Sequence, residues 1–238
     1  MSDRNKVVAP HPPEGRHGYR ITLLCDDPGS WIMPWVERLR GILAPHHAVV
    51  VCHDLARLPE GDFCFLLGCT TLLGPEQLAR HSHNLVVHES DLPRGRGWSP
   101  VAWQVAAGAA SIPVALLEAV VRADAGPVYL RDAIALDGVE LLPELRDKQG
   151  RKTMDMVLAF LARWPDLDPV TQQGEPTYFR RRGEEDDRLD VDKPLGELFN
   201  RLRVVDNERY PAWFEYNGRR FRLAIHPMDG KSAAEEDF

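Results

Sequence analysis

Tyr19-Arg-Ile-Thr-Leu-Leu-Cys25, then Asp26-Asp-Pro-Gly-Ser30, then Trp35, Leu39, Ile42 and Leu43 at helical spacing, is the stretch that decides the fold. A short β-rich apolar run, a turn-forming cluster and an amphipathic run predict strand, loop and helix. The cycle recurs outward. Residues 48–52, 62–67 and 84–88 read as further strands and 75–80 as a helix. Near-continuous Val, Leu and Phe runs separated by helices imply parallel strands buried on both faces. The expected class is α/β: a Rossmann-like, open, twisted, mostly parallel sheet with a small C-terminal α+β extension.

Further along, Pro100 is placed to start a helix over 101–109 with Ser99 as its cap. Residues 114–119 and 128–135 read as a hairpin-like strand pair joined by the loop 120–127. Two helices are expected at 139–149 and 151–164, the second with Met154, Val157, Leu158 and Leu161 on one face and ended by Trp164-Pro165. Composition divides the chain into a Pro- and Gly-rich arm (1–18), a main domain (19–165), a charged linker (166–194), a helix-and-hairpin module (195–229) turning at Asn217-Gly218, and a disordered tail (230–238). Arg180-Arg181-Arg182 and the acids Glu184 to Asp187 fall in the linker.

The 238 residues carry 29 Lys+Arg against 36 Asp+Glu, a formal charge of −7. That sign argues against nucleic acid as a main partner. Cys25, Cys52, Cys64 and Cys69 lie in apolar runs without ligand spacing, so reduced core thiols are expected rather than zinc or disulfides. No stretch approaches the roughly 20 apolar residues that a bilayer demands, so a cytoplasmic protein without membrane contact or metal is expected.

In open α/β sheets, ligands bind beyond the carboxyl ends of the strands, where His88 stands. Its loop, Glu89-Ser-Asp-Leu-Pro-Arg-Gly-Arg-Gly-Trp-Ser-Pro100, is richer in Gly, Pro and charge than a connection requires. Asp124 follows 36 residues later in Arg122-Ala-Asp-Ala-Gly126. Taken singly, a strand-end histidine is more often structural, and Asp before a Gly is more often turn chemistry.

The pair together resembles the formyltransferases that use 10-formyltetrahydrofolate, whose pattern runs Asn-x-His, a Ser-Leu-Leu-Pro loop, Arg-Gly, a Pro-started helix and an Asp-x-Gly loop at this distance. The resemblance covers about residues 19–225. It implies that His88 transfers a proton, that Asp124 orients it and favours its charged form, and that Asp91, Leu92, Pro93, Ala123, Asp124 and Ala125 hold the pterin end of the folate. One position departs: Val86 stands where the family has Asn. Asn84 lies two residues earlier, about 6.6 Å along the strand, too far to replace that amide. A backbone N–H, Ser90 or Gln104 is left to meet the developing oxyanion.

The C-terminal extension, with Gly174-Glu-Pro-Thr-Tyr-Phe-Arg-Arg-Arg182 and Leu202-Arg-Val-Val-Asp-Asn-Glu-Arg-Tyr-Pro-Ala-Trp-Phe214, looks like that of nucleotide-sugar N-formyltransferases. The closest likeness is to the pseudaminic acid pathway type, acting on a UDP-linked 4-amino-4,6-dideoxy-N-acetyl hexosamine. Ser30 and Trp31 at a helix start, Arg94 and Arg96 in the His88 loop, and Asn207, Arg209 and Tyr210 in the module are the expected acceptor contacts. A homodimer is compatible with this reading. The alternatives are a catalytically weakened protein that binds folate or a sugar nucleotide, and a purine-pathway formyltransferase.

Overall fold

The computed structural model describes residues 18–228. The expectations for the tail, and for all but the end of the arm, therefore lie outside the described residues. β1 (Arg20–Leu24) sits between two parallel neighbours, β2 (Ala48–Cys52) and β3 (Gly61–Leu66), and β4 (His81–His88) adds in parallel to β3. β6 (Ser111–Glu118) then runs antiparallel to β4, and β7 (Val128–Ala135) antiparallel to β6. The order is β2-β1-β3-β4-β6-β7, with β6 alone running against the rest. The expected α/β class is observed.

Because successive strand residues point to opposite faces, the sheet carries two cores. Ile21, Leu23, Phe63, Phe65 and Leu85 pack against Val36 and Leu39 of α1 (Met33–Leu43) and Val157, Phe160 and Leu161 of α4 (Leu142–Arg163). On the other face, Leu24, Cys64 and Leu66 meet Cys52, Leu58 and Leu73, with Val86 packed against them. That second cluster is covered by loops, a 3₁₀ turn at Leu55–Arg57 and the one-turn α2 (Pro75–Leu78) rather than by a long helix. The four cysteines are free, and burial pushes the thiols of Cys25, Cys64 and Cys69 up.

Three local expectations are corrected. The two helices expected at 139–149 and 151–164 are one 22-residue helix, α4. Gly150 reads as a break but is the point where the Trp35 ring lies against the helix: a Cβ there would stand 2.3 Å from it. Helix α1 begins at Met33, with Pro34 in its first turn, not at Ser30. Ser99 does not cap α3 (Pro100–Ala106): its φ is +49° and its side chain makes no capping bond, so the proline alone sets the start.

The segment expected as a linker is packed. Val170 bridges Val128, and β8 (Tyr178–Phe179) pairs in parallel with β5 (Arg96–Gly97). Arg180 and Arg182 stack on Trp103 and pair with Asp186 and Asp187. Beyond it come α5 (Leu195–Leu202) and the hairpin β9 (Ala212–Tyr216) and β10 (Arg219–Leu223), turning at Asn217-Gly218 with positive φ at both. Arg203, 1% exposed, ties this module to the main body. It donates to the Glu140 carboxylate at 2.7 Å, the Glu140 carbonyl at 2.9 Å and Asn200 at 3.0 Å.

Candidate active site

His88 closes β4, and its ring is 6% exposed. Nε2 lies 2.8 Å from the Gly95 carbonyl oxygen, and Nδ1 lies 3.5 Å from Asp124 Oδ1. Imidazole and carboxylate, far apart in sequence, therefore meet. Both ring nitrogens face groups that only accept, so only a doubly protonated ring donates on both edges. Asp124 adopts φ +52° in the β6–β7 loop, a conformation that Asp tolerates better than most residues, and its Oδ2 accepts from the Gly97 N–H at 2.9 Å.

The β5–β8 pairing explains why this loop is rigid. Arg96 N donates to Thr177 O, Trp98 N donates to Phe179 O, and Gly95 N donates to Thr177 Oγ1. Gly97 has φ +101°, and a Cβ there would fall 2.4 Å from the Phe179 carbonyl oxygen, so the close approach requires glycine. Gln172 Nε2 donates to the carbonyls of Asp124 and Gly126, both at 2.8 Å. The 166–194 segment thus clasps the His88 loop and the Asp124 loop together.

Glu89 turns to the opposite face, where Gln149 of α4 donates to its carboxyl at 2.7 Å. Burial pushes this carboxyl above the usual range, and the neighbouring His88 acts in the opposite sense. Of the groups that could replace the absent amide at Val86, Gln104 is engaged, since its Nε2 donates to the carbonyls of Glu89 and Pro100. Asn84 donates to Leu78 O and holds α2. Ser90 Oγ is buried and without a partner among the described residues, beside Gly95.

Val86 shares the face of His88, two residues away on β4. It helps line a small cavity of about 50 Å³ with Leu66, Leu73, Leu117, Ala123 and Asp124. The walls suit a flat, apolar-faced ring, although a pterin needs more room than this cavity offers. Of the expected folate contacts, Ala123 and Asp124 stand on this cavity. Leu92 packs against Val86, and its carbonyl accepts from Arg131. Pro93 follows Leu92 through a cis peptide bond, Ala125 continues the Asp124 turn, and Asp91 faces outward to Arg94 and Arg131.

The expected acceptor contacts scatter. Arg96 is buried in the clasp, whereas Arg94 is exposed on Asp91. Ser30 and Trp31 precede α1, with Trp31 under the Arg146 guanidinium. Asn207 spends its amide on both backbone groups of Ile225, and Arg209 and Tyr210 belong to the turn closed by Asp206. The contacts of these three stay within the C-terminal module, so the structure does not join them to the His88 pair. Sequence reasoning missed the carbonyl of Gly95, the N–H of Gly97, Gln172 and Glu89. The signal available was Gly95-Arg96-Gly97, two glycines that a plain loop does not need.

Among the described residues, no group of His, Cys, Asp and Glu is arranged to hold a metal ion, and no helix is long and apolar enough to cross a membrane. No protein-family model matches the chain. Methionyl-tRNA formyltransferase from Ruegeria pomeroyi is 29% identical over 147 residues, 61% of this chain and 48% of that protein. Its Thermus thermophilus counterpart is 32% identical over 158 residues, 62% and 48%. The chain spans about half the length of these relatives.

Among solved structures, methionyl-tRNA formyltransferase from Clostridium thermocellum superposes with TM-score 0.74 at 19% identity, over 87% of this chain and 92% of that one. HypX from Aquifex aeolicus, in complex with tetrahydrofolic acid, gives 0.71 at 18% over 88% and 38%. A sugar N-formyltransferase from Shewanella gives 0.67 at 12% over 89% and 98%. At these identities the structural likenesses show a shared fold. The chain is thus similar in sequence to methionyl-tRNA formyltransferases over the matched 147–158 residues, and it shares its fold with these solved structures.

Proposed function

We propose that the protein transfers a formyl group from 10-formyltetrahydrofolate to the amine of a nucleotide-linked 4-amino-4,6-dideoxy sugar, a UDP-linked N-acetyl hexosamine being the expected acceptor. The observation that carries the reading is the buried His88–Asp124 pair at 3.5 Å, clasped by Gly95 and Gly97. The folate, when bound, supplies the formyl carbon and leaves with a proton on its nitrogen.

The chain's own residues do the rest. An amine that attacks a carbonyl must lose a proton as its new bond forms, and His88, with Nε2 donating to the Gly95 carbonyl, would take it on Nδ1, the nitrogen that faces Asp124. The Asp124 carboxylate beside Nδ1 would face the positive charge that the ring gains on taking the proton. Ser90 Oγ, without a partner among the described residues, would be available in the same loop to donate to the oxygen that gains negative charge. The cavity beside Val86, Ala123 and Asp124 is where an apolar ring face would lie. That a sugar N-formyltransferase shares the fold is in keeping with a sugar acceptor, and the acidic chain argues against transfer RNA.

Purified protein incubated with 10-formyltetrahydrofolate and a panel of UDP- and dTDP-linked 4-amino sugars should give, by mass spectrometry, a product heavier by one formyl group. Glycinamide ribonucleotide and methionyl-tRNA complete the panel. Val86 favours a second reading, a weakened binder. Folate or sugar-nucleotide binding without any product, with activity appearing in Val86→Asn, would select it.

A further inference from the structure

We propose that Arg96, Arg122 and the Tyr178 hydroxyl form a binding site for a multiply charged oxyanion, a phosphate or carboxylate group of one of the two substrates, beside the His88–Asp124 pair. Arg96 is 6% exposed, and its Nε is buried without a partner. Its guanidinium donates from Nη2 to the neutral Gln172 Oε1 at 2.6 Å. Arg122, two residues before Asp124, donates from Nη2 to the Tyr178 oxygen at 2.7 Å. The β5–β8 register sets Arg96 directly opposite Tyr178. The two guanidinium groups therefore converge on one phenol, and among the described residues neither is paired with a carboxylate.

A buried charge is ordinarily paired, because desolvation otherwise penalises it by several kcal/mol. Arg203, the other deeply buried arginine, obeys that rule through Glu140. Two convergent cations without a counter-ion are what a phosphate or carboxylate fits, with the planar fork of arginine matching its oxygens. Together, Arg122 and Arg96 hold the Tyr178 hydroxyl below its usual range, the direction that a local excess of positive charge imposes. The site is coupled to the chemistry by short connections. Gly95 and Gly97, on either side of Arg96, touch His88 and Asp124, and Gln172 bonds both Arg96 and the Asp124 loop.

Which substrate supplies the oxyanion, the acceptor's diphosphate or the folate's glutamyl carboxylates, rests on the proposed function; the existence of the site does not. Calorimetry on the full chain with pyrophosphate, UDP, tetrahydrofolate and 6-methyltetrahydropterin, which lacks the glutamate, separates the sources. Arg122→Gln and Tyr178→Phe alter exposed side chains. Each should weaken the oxyanion ligand by about tenfold or more while leaving the methylpterin unchanged. Arg151→Gln, on the far side of α4, should change nothing. Loss confined to UDP and pyrophosphate assigns the acceptor, and loss confined to tetrahydrofolate assigns the glutamyl tail. Wild-type protein that binds none of the oxyanions, or variants that bind them as wild type does, would overturn the site. Variant-sensitive pyrophosphate binding without formyl transfer to any amine would instead sink only the activity.

Discussion

Two buried carboxyls, Glu140 and Glu89, are shifted in opposite directions, and the regions around them differ in the same sense. Glu140 receives the Asp137 and Gly138 N–H groups, Lys148 at 2.6 Å and Arg203 at 2.7 Å, so every lone pair is met. Burial alone would raise it, but these donors, led by Lys148, outweigh burial and hold it at about 2. Glu89 has one side-chain donor, Gln149, and burial pushes it up. Around it, among the described residues, His88 has two acceptors, Ser90 Oγ has no partner and Arg96 has no counter-ion. Fully matched polar groups hold the C-terminal module to the body. Buried polar atoms without a partner among the described residues also occur at Tyr19, His81 and Asn84, but only in the His88 loop do two of them, on Ser90 and Arg96, share one loop with an imidazole and a carboxylate.

The comparison breaks first at His88. Replacing it with Asn removes the proton acceptor while keeping a polar side chain of similar reach, so turnover should fall by about a hundred- to ten-thousand-fold. The stability loss should stay within about 1–3 kcal/mol, that of the buried bond to the Gly95 carbonyl, because the ring's contact with Asp124 is longer than a good hydrogen bond. Single-turnover formylation and urea unfolding on the same preparation read both quantities. A large stability loss with modest loss of turnover would mean that this pair is structural.

Arg203→Met should give the reverse pattern. Leaving Glu140 without its buried partner is expected to destabilise the protein by about 3–5 kcal/mol, while turnover per folded molecule stays near wild type. The double variant Arg203→Met with Glu140→Leu should recover much of that loss, because an apolar pair needs no counter-charge. If the double variant is no better than the single, the corner is held by packing and the contrast with the site weakens.

Acid titration sharpens the same contrast. Glu140, held at about 2 in the fold against about 4.3 when unfolded, contributes about 3 kcal/mol above pH 4.5, which drains away as pH falls towards 2. Glu89 has the opposite sign. Its folded value lies above the unfolded one, so its contribution is complete at acid pH and is lost as pH rises through the raised value. Urea midpoints from pH 2.5 to 8 should show Glu140→Gln flattening the acid limb and Glu89→Gln gaining stability relative to wild type at neutral pH.

Strand identity was legible in the sequence because β-rich apolar runs stand between turn and helix signals, and even the half-exposed edge strands Ala48–Cys52 and Val128–Ala135 return at the same residues in the structure. His88 and Asp124 were singled out together only by the resemblance of their loops to a family pattern, since each alone read as structural. What held them together was not legible. The contacts of Gly95, Gly97 and Gln172 are long-range backbone and amide bonds, and composition read the 166–194 segment as a linker because its charges, such as Arg180 with Asp186, cancel locally. A charge run that pairs with itself and stacks on Trp103 carries the same composition as a solvated one.

Gly150 shows how a local rule is overridden by a contact, and it gives the smallest of the expected effects. In an exposed helix interior, Gly→Ala gains about 1 kcal/mol from backbone propensity alone. Here the new methyl would meet the Trp35 ring at 2.3 Å, and that ring is held between the guanidinium groups of Arg38 and Arg151, so it cannot swing away freely. Overpacking of this kind typically costs about 1–3 kcal/mol, so Gly150→Ala should be net destabilising by roughly 1 kcal/mol. In a Trp35→Leu background the obstacle is gone, and the same substitution should become stabilising by about the propensity gain. A change of sign between the two backgrounds, measured by thermal or urea unfolding, isolates the ring contact as the reason that α4 carries a glycine at its middle. The same sign in both would return Gly150 to the reading its sequence suggested, a weak point between two helical segments.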